Sequence, residues 1–213
     1  MGNYKAIVSY PQKKGKLPVI IYNYDEYYDW AGKKLANKQG YSLENFAKEF
    51  NRWGFICIIP LERYRKLGAL KGAIEYAKNL KRAKKNDIHI IGLSEGAFLS
   101  MLSTDNMPKI RSMTLLAPKS INYTGHFSLP QVIRQIKKFT PSILFIVGSN
   151  EKNWRLRLSK TLHRILVENK NRIKYIEYPC TKKWFFNQDN LFMHEIYRFI
   201  TRGKSITDLE DER

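Results

Sequence analysis

The chain has 213 residues, of which 43% are hydrophobic and 27% are charged, and its formal net charge is +19. This composition can support a large buried core, and it excludes an intrinsically disordered chain. The positive charge is spread over lysine pairs such as Lys84-Lys85 and Lys137-Lys138, and no nucleic-acid recognition module is evident, so we predict no specific nucleic-acid partner.

Six short apolar segments along the chain predict the strands of one sheet. They are residues 18–22, 55–60, 88–92, 113–116, 143–148 and 173–178. Each segment is apolar with almost no alternation, which is typical of strands in a parallel sheet that helices cover on both faces.

Five segments with helical periodicity alternate with these strands. They are residues 42–53, 67–80, 95–102, 156–167 and 190–200. In the fourth segment, for example, Leu158, Leu162 and Ile165 recur on one face. The alternation predicts an α/β fold with a mostly parallel, doubly wound sheet in a single domain.

We expect the domain to span residues 1–202, because neither an internal repeat nor a linker divides the chain. Its longest connection, residues 118–140, contains Gly125, Pro130 and a short amphipathic stretch, and is expected to form a small cap over the edge of the sheet. Residues 203–213 are expected to form a flexible C-terminal tail.

The third predicted strand leads into a motif with a chemical meaning. It reads Gly92-Leu93-Ser94-Glu95-Gly96, and an apolar helical segment follows it. G-x-S-x-G between a strand and a helix is the pattern of a nucleophile elbow, in which small residues allow a strained turn that lifts the serine hydroxyl above the end of the strand. Ser94 is therefore the candidate nucleophile, and Gly92 and Gly96 are the elbow glycines.

With this motif the chain resembles the α/β-hydrolase superfamily, in particular its dienelactone-hydrolase-like and lipase-like branch, over about residues 17–201. The resemblance implies an oxyanion hole made of backbone N–H groups. One donor would come from Glu95, and the other from Tyr24 or Asp25 in the loop after the first predicted strand. That loop is bulky and acidic where the family often has His-Gly, so the shape of the pocket need not be conserved.

The resemblance also implies an acid and then a histidine later in the chain. Glu151, in the turn after the strand 143–148, matches the acid. At the position expected for the histidine the chain has Lys183, followed by Trp184 and Phe185. The charge of Lys182 and burial beside the two aromatic rings would lower the pKa of Lys183, which makes it a candidate base.

The four histidines fit the role of the base less well. His89 lies within the strand that precedes the elbow, and His126 lies in the expected cap, ahead of the acid. His163 is in the middle of a helix, and His194 is on the outward face of the last one. His126 and His194 stay open as alternatives in a fold that is more irregular than the sequence indicates.

Two functional hypotheses follow. In the first, the chain is a serine hydrolase that acts on a carboxylic ester or related acyl substrate through Ser94. In the second, it is a catalytically inactive hydrolase-fold protein that binds a ligand or acts as a scaffold, because loss of the catalytic histidine lowers the turnover of a serine protease about a millionfold.

Two further segments bear on the substrate. The aromatic-rich loop 22–30 would either line an apolar acyl pocket or pack on itself. Arg63, Arg65 and Lys66, just beyond the second predicted strand, would attract an anionic substrate to the carboxyl edge of the sheet.

The sequence indicates neither a cofactor nor a metal, since it has no glycine-rich phosphate-binding motif and no cysteine and histidine cluster with zinc spacing. It also has no apolar run near the roughly 18 residues of a membrane span. Because its first residues lack an apolar stretch, we expect no signal peptide. With only Cys57 and Cys180, we expect no disulfide framework and a cytoplasmic location. The expected partner is a small-molecule ester or acyl substrate.

Overall fold

Strands and helices alternate along the part of the chain described by the computed structural model, which is residues 4–62, 66–103, 110–119, 134, 141–169 and 172–202. The strands are β1 (Ala6–Ser9), β2 (Leu17–Asn23), β3 (Ile56–Pro60), β4 (Ala83–Leu93), β5 (Ile110–Leu116), β6 (Ser142–Gly148) and β7 (Ile173–Tyr178). The α-helices are α1 (Tyr27–Lys38), α2 (Leu43–Arg52), α3 (Lys66–Asn79), α4 (Glu95–Ser103), α5 (Asn153–Glu168) and α6 (Phe192–Ile200), and a 3-10 helix spans Lys182–Phe186.

The strands form one seven-stranded sheet in the order β1-β3-β2-β4-β5-β6-β7. Neighbouring strands run parallel except for β1, which pairs antiparallel with β3. The carboxyl ends of β2, β4, β5, β6 and β7 therefore lie at the same edge, where the loops that follow them meet. The predicted α/β class, with a mostly parallel, doubly wound sheet, is confirmed.

Helices cover both faces of the sheet and divide the core into two clusters. One cluster includes Leu70 of α3, Phe98 of α4 and Leu162 of α5, and the other includes Phe46 of α2 and Phe192 of α6. Adjacent strand residues point into opposite clusters, and in the central strands both are fully buried. This two-sided burial is the reason why the strands are apolar without alternation.

Two elements occur where the sequence showed no regular period. β1 is a four-residue strand at the edge of the sheet. The segment after β2, which we expected to be an irregular loop, is mostly helical, since α1 begins at Tyr27. Gly32 interrupts that helix with φ 76° and ψ 157°, and Ala36 is its only fully buried residue, so no apolar stripe marks the helix in the sequence.

Some expectations concern residues outside the described ranges. The structure does not describe residues 120–133 and 135–140 of the expected cap. It also does not describe Arg63, Arg65 or the expected tail, residues 203–213. Among the helices of the described ranges, none is both long and apolar enough to cross a membrane.

Candidate active site

Ser94 occupies a sharp turn between β4 and α4, and its φ of 56° lies in the left-handed region that non-glycine residues rarely adopt. Such a conformation costs about 1–3 kcal/mol and persists only where the surroundings hold it. Here the backbone N–H of Ser94 donates to the Leu116 carbonyl at 2.8 Å, and the N–H of Lys119 donates to the Ser94 carbonyl at 3.3 Å. Contacts from the β5 end thus fix the turn.

The two glycines of the motif are required by close backbone packing. A Cβ at Gly96 would overlap the carbonyl oxygen of Asn23 at the end of β2, and a Cβ at Gly92 would overlap the backbone of Ala97. The Asn23 side-chain amide also donates to the Gly96 carbonyl at 2.8 Å. The start of α4 is therefore pressed against the ends of β2 and β4, which leaves no room for a side chain.

The side chain of Ser94 is fully buried, and its Oγ has no hydrogen-bond partner among the described residues. A buried hydroxyl without a partner costs about 1–3 kcal/mol, so its presence needs a physical explanation. Ser94 lines a cavity of about 270 Å³. The other described residues that line it are Ala117, Pro118, Lys119, Val147, Gly148, Glu151, Trp154, Arg155, Leu156, Leu158, Ser159 and Lys182.

The expected oxyanion donors lie at the ends of two neighbouring strands. Glu95 is the first residue of α4, whose positive dipole end favours a developing negative charge. Asp25, one of the two residues considered for the second donor, already donates its backbone N–H to the Tyr41 hydroxyl at 2.8 Å. Tyr24 is consequently the better candidate of the two.

The aromatic residues of the loop 22–30 pack against one another and against the core. Tyr24 meets Tyr28 edge to face at 5.5 Å, and Tyr27 stacks on Phe186 at 5.4 Å. None of these rings is among the described residues that line the cavity. Of the two alternatives for this loop, the structure thus favours packing over an acyl pocket.

Glu151, the residue matched to the family's acid, lies on the cavity wall after β6. One carboxylate oxygen accepts a hydrogen bond from the backbone N–H of Lys182, and the other accepts one from Arg155 at 3.5 Å. Glu151 therefore anchors the segment that follows β7, where the family would place its histidine.

The structure brings Lys182, and not Lys183, to the cavity. Phe185 and Phe186 are buried in the core, and this orientation of the 3-10 helix turns Lys183 out to solvent. Lys182 faces inward instead, with its Nζ 3.0 Å from the buried carboxylate of Asp25. Lys183, the predicted base, is thus exposed and does not line the cavity, whereas its neighbour Lys182 does.

None of the three described histidines lines the cavity. His89 is buried in β4, where its ring pairs with the Ser112 hydroxyl at 2.6 Å and with Asp87 at 3.2 Å. His163 packs against Tyr175 with ring centroids 4.4 Å apart, and His194 is exposed on α6. His126 lies outside the described residues.

Lys119, which the sequence did not single out, lies on the cavity wall just after β5. Its amine forms an ion pair with Glu26. Burial lowers the pKa of Lys119 to about 8; the carboxylate of Asp25 opposes this shift, and the charges of Lys182 and Arg155 support it. Only its position could have pointed to Lys119: it follows β5, which neighbours β4 and ends at the same edge of the sheet as the strand that leads to Ser94.

A second buried lysine sits beside the elbow. The Nζ of Lys66 is 2.7 Å from Asp29 and 3.2 Å from Glu95, and its side chain is almost fully buried. The two carboxylates neutralise the lysine, so Lys66 does not present a free charge to an anionic substrate.

Among the described residues, no group of three or more histidine, cysteine, aspartate or glutamate side chains is arranged to hold a metal ion.

Neither a protein-family model nor a curated protein matches the sequence. Solved structures do match the fold. A protein of unknown function from Agrobacterium tumefaciens, proposed to be an α/β hydrolase, has a TM-score of 0.69 at 18% identity, covering 93% of this chain and 90% of its own. A protein proposed to be a dienelactone hydrolase, from Klebsiella pneumoniae, has a TM-score of 0.66 at 13% identity, with coverages of 84% and 80%.

A third similar structure is carboxyl esterase 2 from the mycorrhizal fungus Tuber melanosporum, with a TM-score of 0.66 at 13% identity over 93% of this chain and 80% of that one. At such low identities the likeness concerns the fold alone. The resemblance that the elbow motif predicted is confirmed at that level: the chain has the fold of the α/β hydrolases, including the dienelactone-hydrolase-like branch.

Proposed function

We propose that this chain is a serine hydrolase that cleaves a small carboxylic ester or related acyl bond, with Ser94 as the nucleophile. One observation carries the proposal. Ser94 is held in a left-handed turn, and its buried hydroxyl, without a partner among the described residues, lines a cavity of about 270 Å³. A strained turn and an unsatisfied hydroxyl both reduce stability, so their combination at a cavity indicates a functional constraint.

The surrounding groups support an acyl-transfer reaction. The Ser94 oxygen would attack the carbonyl carbon of the substrate, and the backbone N–H groups of Glu95 and Tyr24 would stabilise the negative charge on the carbonyl oxygen. Glu151 would hold the segment after β7 against the site through its hydrogen bond to the Lys182 backbone.

The cavity also limits the substrate. Its size is near the lower end of small-ligand pockets, which span about 300–1,000 Å³. Leu156, Leu158 and Trp154 give it a largely apolar wall, which suits a short acyl group. The hydrolase and esterase names carried by proteins of similar fold are consistent with a small ester.

A fluorophosphonate probe and p-nitrophenyl acetate test the proposal directly. We expect the probe to modify a single peptide containing Ser94 and the native chain to release p-nitrophenolate. Both signals should disappear in Ser94→Ala. The matched control is Ser149→Ala, at the same edge of the sheet but with its hydroxyl bonded to the Tyr178 carbonyl at 3.2 Å; it should keep both. Labelling that survives in Ser94→Ala would contradict the assignment of the nucleophile.

A second candidate function is ligand binding without turnover. It is favoured by the finding that none of the described histidines lines the cavity. If the native chain is neither labelled nor able to hydrolyse p-nitrophenyl esters of two-, four- and eight-carbon acids, the binding or scaffold hypothesis replaces the hydrolase.

A further inference from the structure

We propose that Lys119 is the general base of this site and that Glu26 positions its amine, so that a Ser94–Lys119 pair does the work of the family's serine and histidine. This inference rests on the proposed function. Its first support is placement, because the backbone N–H of Lys119 donates to the Ser94 carbonyl at 3.3 Å and both residues line the same cavity. With the two backbones so close, the flexible stem of the lysine can bring its amine to the neighbouring hydroxyl.

The second support is the way the amine is held. The side chain of Lys119 is only 17% exposed, and its Nζ is paired with one carboxylate oxygen of Glu26. The other oxygen of Glu26 is buried and has no hydrogen-bond partner among the described residues. A buried carboxylate that fixes a base beside a serine is the arrangement used by catalytic triads.

The charges that face the amine come from three directions. Asp25 and Glu26 lie in the connection after β2, Glu151 and Arg155 lie after β6, and Lys182 lies in the 3-10 helix. The carboxylates favour the ammonium, whereas burial and the two cations favour the neutral amine. Burial is the largest of the causes of the shift, and the pKa of Lys119 falls to about 8, close to the pH at which a general base is most effective.

Lys182 is the competing lysine of the cavity. Its Nζ lies 3.0 Å from Asp25, whose carboxylate is fully buried, and 4.0 Å from Glu26. Lys182 binds Asp25 closely, and removing the partner of a buried carboxylate strongly destabilises the folded protein. Lys182 is therefore assigned to neutralising Asp25, and Lys119 to the chemistry.

Ser94, Lys119 and a water molecule account for every proton that moves and every bond that forms or breaks in the reaction. The neutral amine of Lys119 takes the proton of the Ser94 hydroxyl as the oxygen bonds to the acyl carbon and the carbonyl electron pair moves to its oxygen. The bond to the alcohol then breaks, and the ammonium returns its proton to the leaving oxygen. Water completes the cycle: Lys119 accepts a proton from it as it attacks the acyl group, and returns that proton to Ser94 as the acyl bond breaks.

The structure holds the amine on Glu26 and not on the Ser94 hydroxyl, so the proposal requires the amine to turn towards Ser94 when a substrate fills the cavity. Catalytic hydrogen bonds that are absent or long without a ligand commonly form in the substrate complex.

The test is the pH dependence of Ser94 labelling by the fluorophosphonate probe and of kcat/KM for p-nitrophenyl acetate. In the native chain both should rise with an apparent pKa near 8, as the amine loses its proton. Lys119→Met should slow labelling at least about 100-fold and remove this rise. Lys119→Arg keeps the ion pair with Glu26 but cannot become neutral, so it should show the same loss while remaining folded, as monitored by circular dichroism.

Lys183→Met, which removes an exposed lysine next to the site, is the control and should keep both the rate and the pH profile. If Lys119→Arg retains the rate and its rise with pH, the assignment of Lys119 is overturned while Ser94 stands. A native chain that is not labelled at Ser94 overturns both the base and the hydrolase.

Discussion

Two serine-centred clusters lie within this sheet, and they differ in every feature that matters for catalysis. In the first, Ser112 of β5 faces His89 of β4, which in turn contacts Asp87. These are the three residue types of a hydrolase triad, yet Ser112 and His89 are buried within two strands of the sheet. In the second cluster, Ser94 lies in a strained turn on a cavity, and its charged neighbours include Lys119, which is paired with Glu26.

The comparison shows that position decides more than residue type. Each polar group between Ser112 and Asp87 has a partner, and this is how a buried histidine is stabilised. The Ser94 hydroxyl, by contrast, lacks a partner among the described residues, and Ser94 lines the cavity. We therefore assign a structural role to the first cluster, and under the proposed function the chemistry belongs to the second.

The largest expected effect is that the two serines differ in opposite ways: replacing Ser94 should affect turnover, and replacing Ser112 should affect stability. Ser94→Ala should lower kcat/KM for p-nitrophenyl acetate by at least about 1,000-fold. It should leave the urea-unfolding free energy unchanged or raise it, because the lost hydroxyl had no described partner. Ser112→Ala should instead keep its turnover and lose about 1–3 kcal/mol of stability, since it leaves a buried ring nitrogen of His89 unpaired. A Ser112→Ala chain that is stable but inactive would reverse the assignment.

The next effect concerns the backbone that supports Ser94. Gly96→Ala should lower the free energy of unfolding by about 3 kcal/mol or more, because the new Cβ overlaps the Asn23 carbonyl in a central strand. Gly40→Ala provides the contrast, since its Cβ would meet open space and only its φ of 81° is unfavourable, at a cost of about 1–2 kcal/mol. Thermal unfolding of the two variants measures the difference, and equal losses would contradict close packing at the elbow.

A smaller loss of stability is expected when Lys182, a charged residue of the Ser94 cavity, is replaced. Lys182→Met should lose about 1.5–3 kcal/mol in urea unfolding, because it removes a charged hydrogen-bond donor from the buried carboxylate of Asp25. The adjacent exposed change, Lys183→Met, should stay within about 0.5 kcal/mol of the native chain. A larger loss at Lys183 would mean that the 3-10 helix has the opposite orientation.

The smallest effect tests the Ser112 cluster through pH. Hydrogen bonds from His89 and Arg111 lower the pKa of Asp87 to about 2, although burial opposes the shift. The unfolded chain binds this proton near pH 3.9, so the stabilisation is present above that value and is lost as the pH falls towards 2. Asp87→Asn should be less stable at pH 7 by about 1 kcal/mol, because solvent partly screens a carboxylate that is 20% exposed. Urea titrations at pH 2 to 7 should show the two curves converging at low pH; a constant gap would refute the linkage.

The sequence predicted the central strands well because their pattern is local. β2, β6 and β7 lie within one residue of the predicted ranges, since burial on both faces makes a strand continuously apolar. β1 was missed because four residues at an edge bury too little to leave a pattern. α1 was missed because Gly32 breaks its period.

In the candidate site, too, the features set by a local pattern could be predicted, and those set by contacts distant in sequence could not. The turn at Ser94 follows from five consecutive residues, and the predicted sharp strand-to-helix turn is confirmed. Lys119 and Glu26 meet only because β2, β4 and β5 are neighbours, which depends on strand order. The choice between Lys182 and Lys183 depends on the rotation of a five-residue 3-10 helix, and no periodic pattern of that length fixes it.

Under the proposed function, the contacts that hold the Ser94 turn also determine when Ser94 becomes reactive during folding. The turn depends on the Leu116 carbonyl and on the approach of Gly96 to Asn23, a contact that spans 73 residues. Contacts this distant in sequence must overcome the entropy of closing a long loop, so they form after the local helices. Chains in which β2, β4 and β5 are not yet assembled have the Ser94 hydroxyl but not the conformation that exposes it to the cavity. In a refolding chain, serine-directed labelling should therefore lag behind the recovery of helical circular dichroism and report the closure of the central sheet.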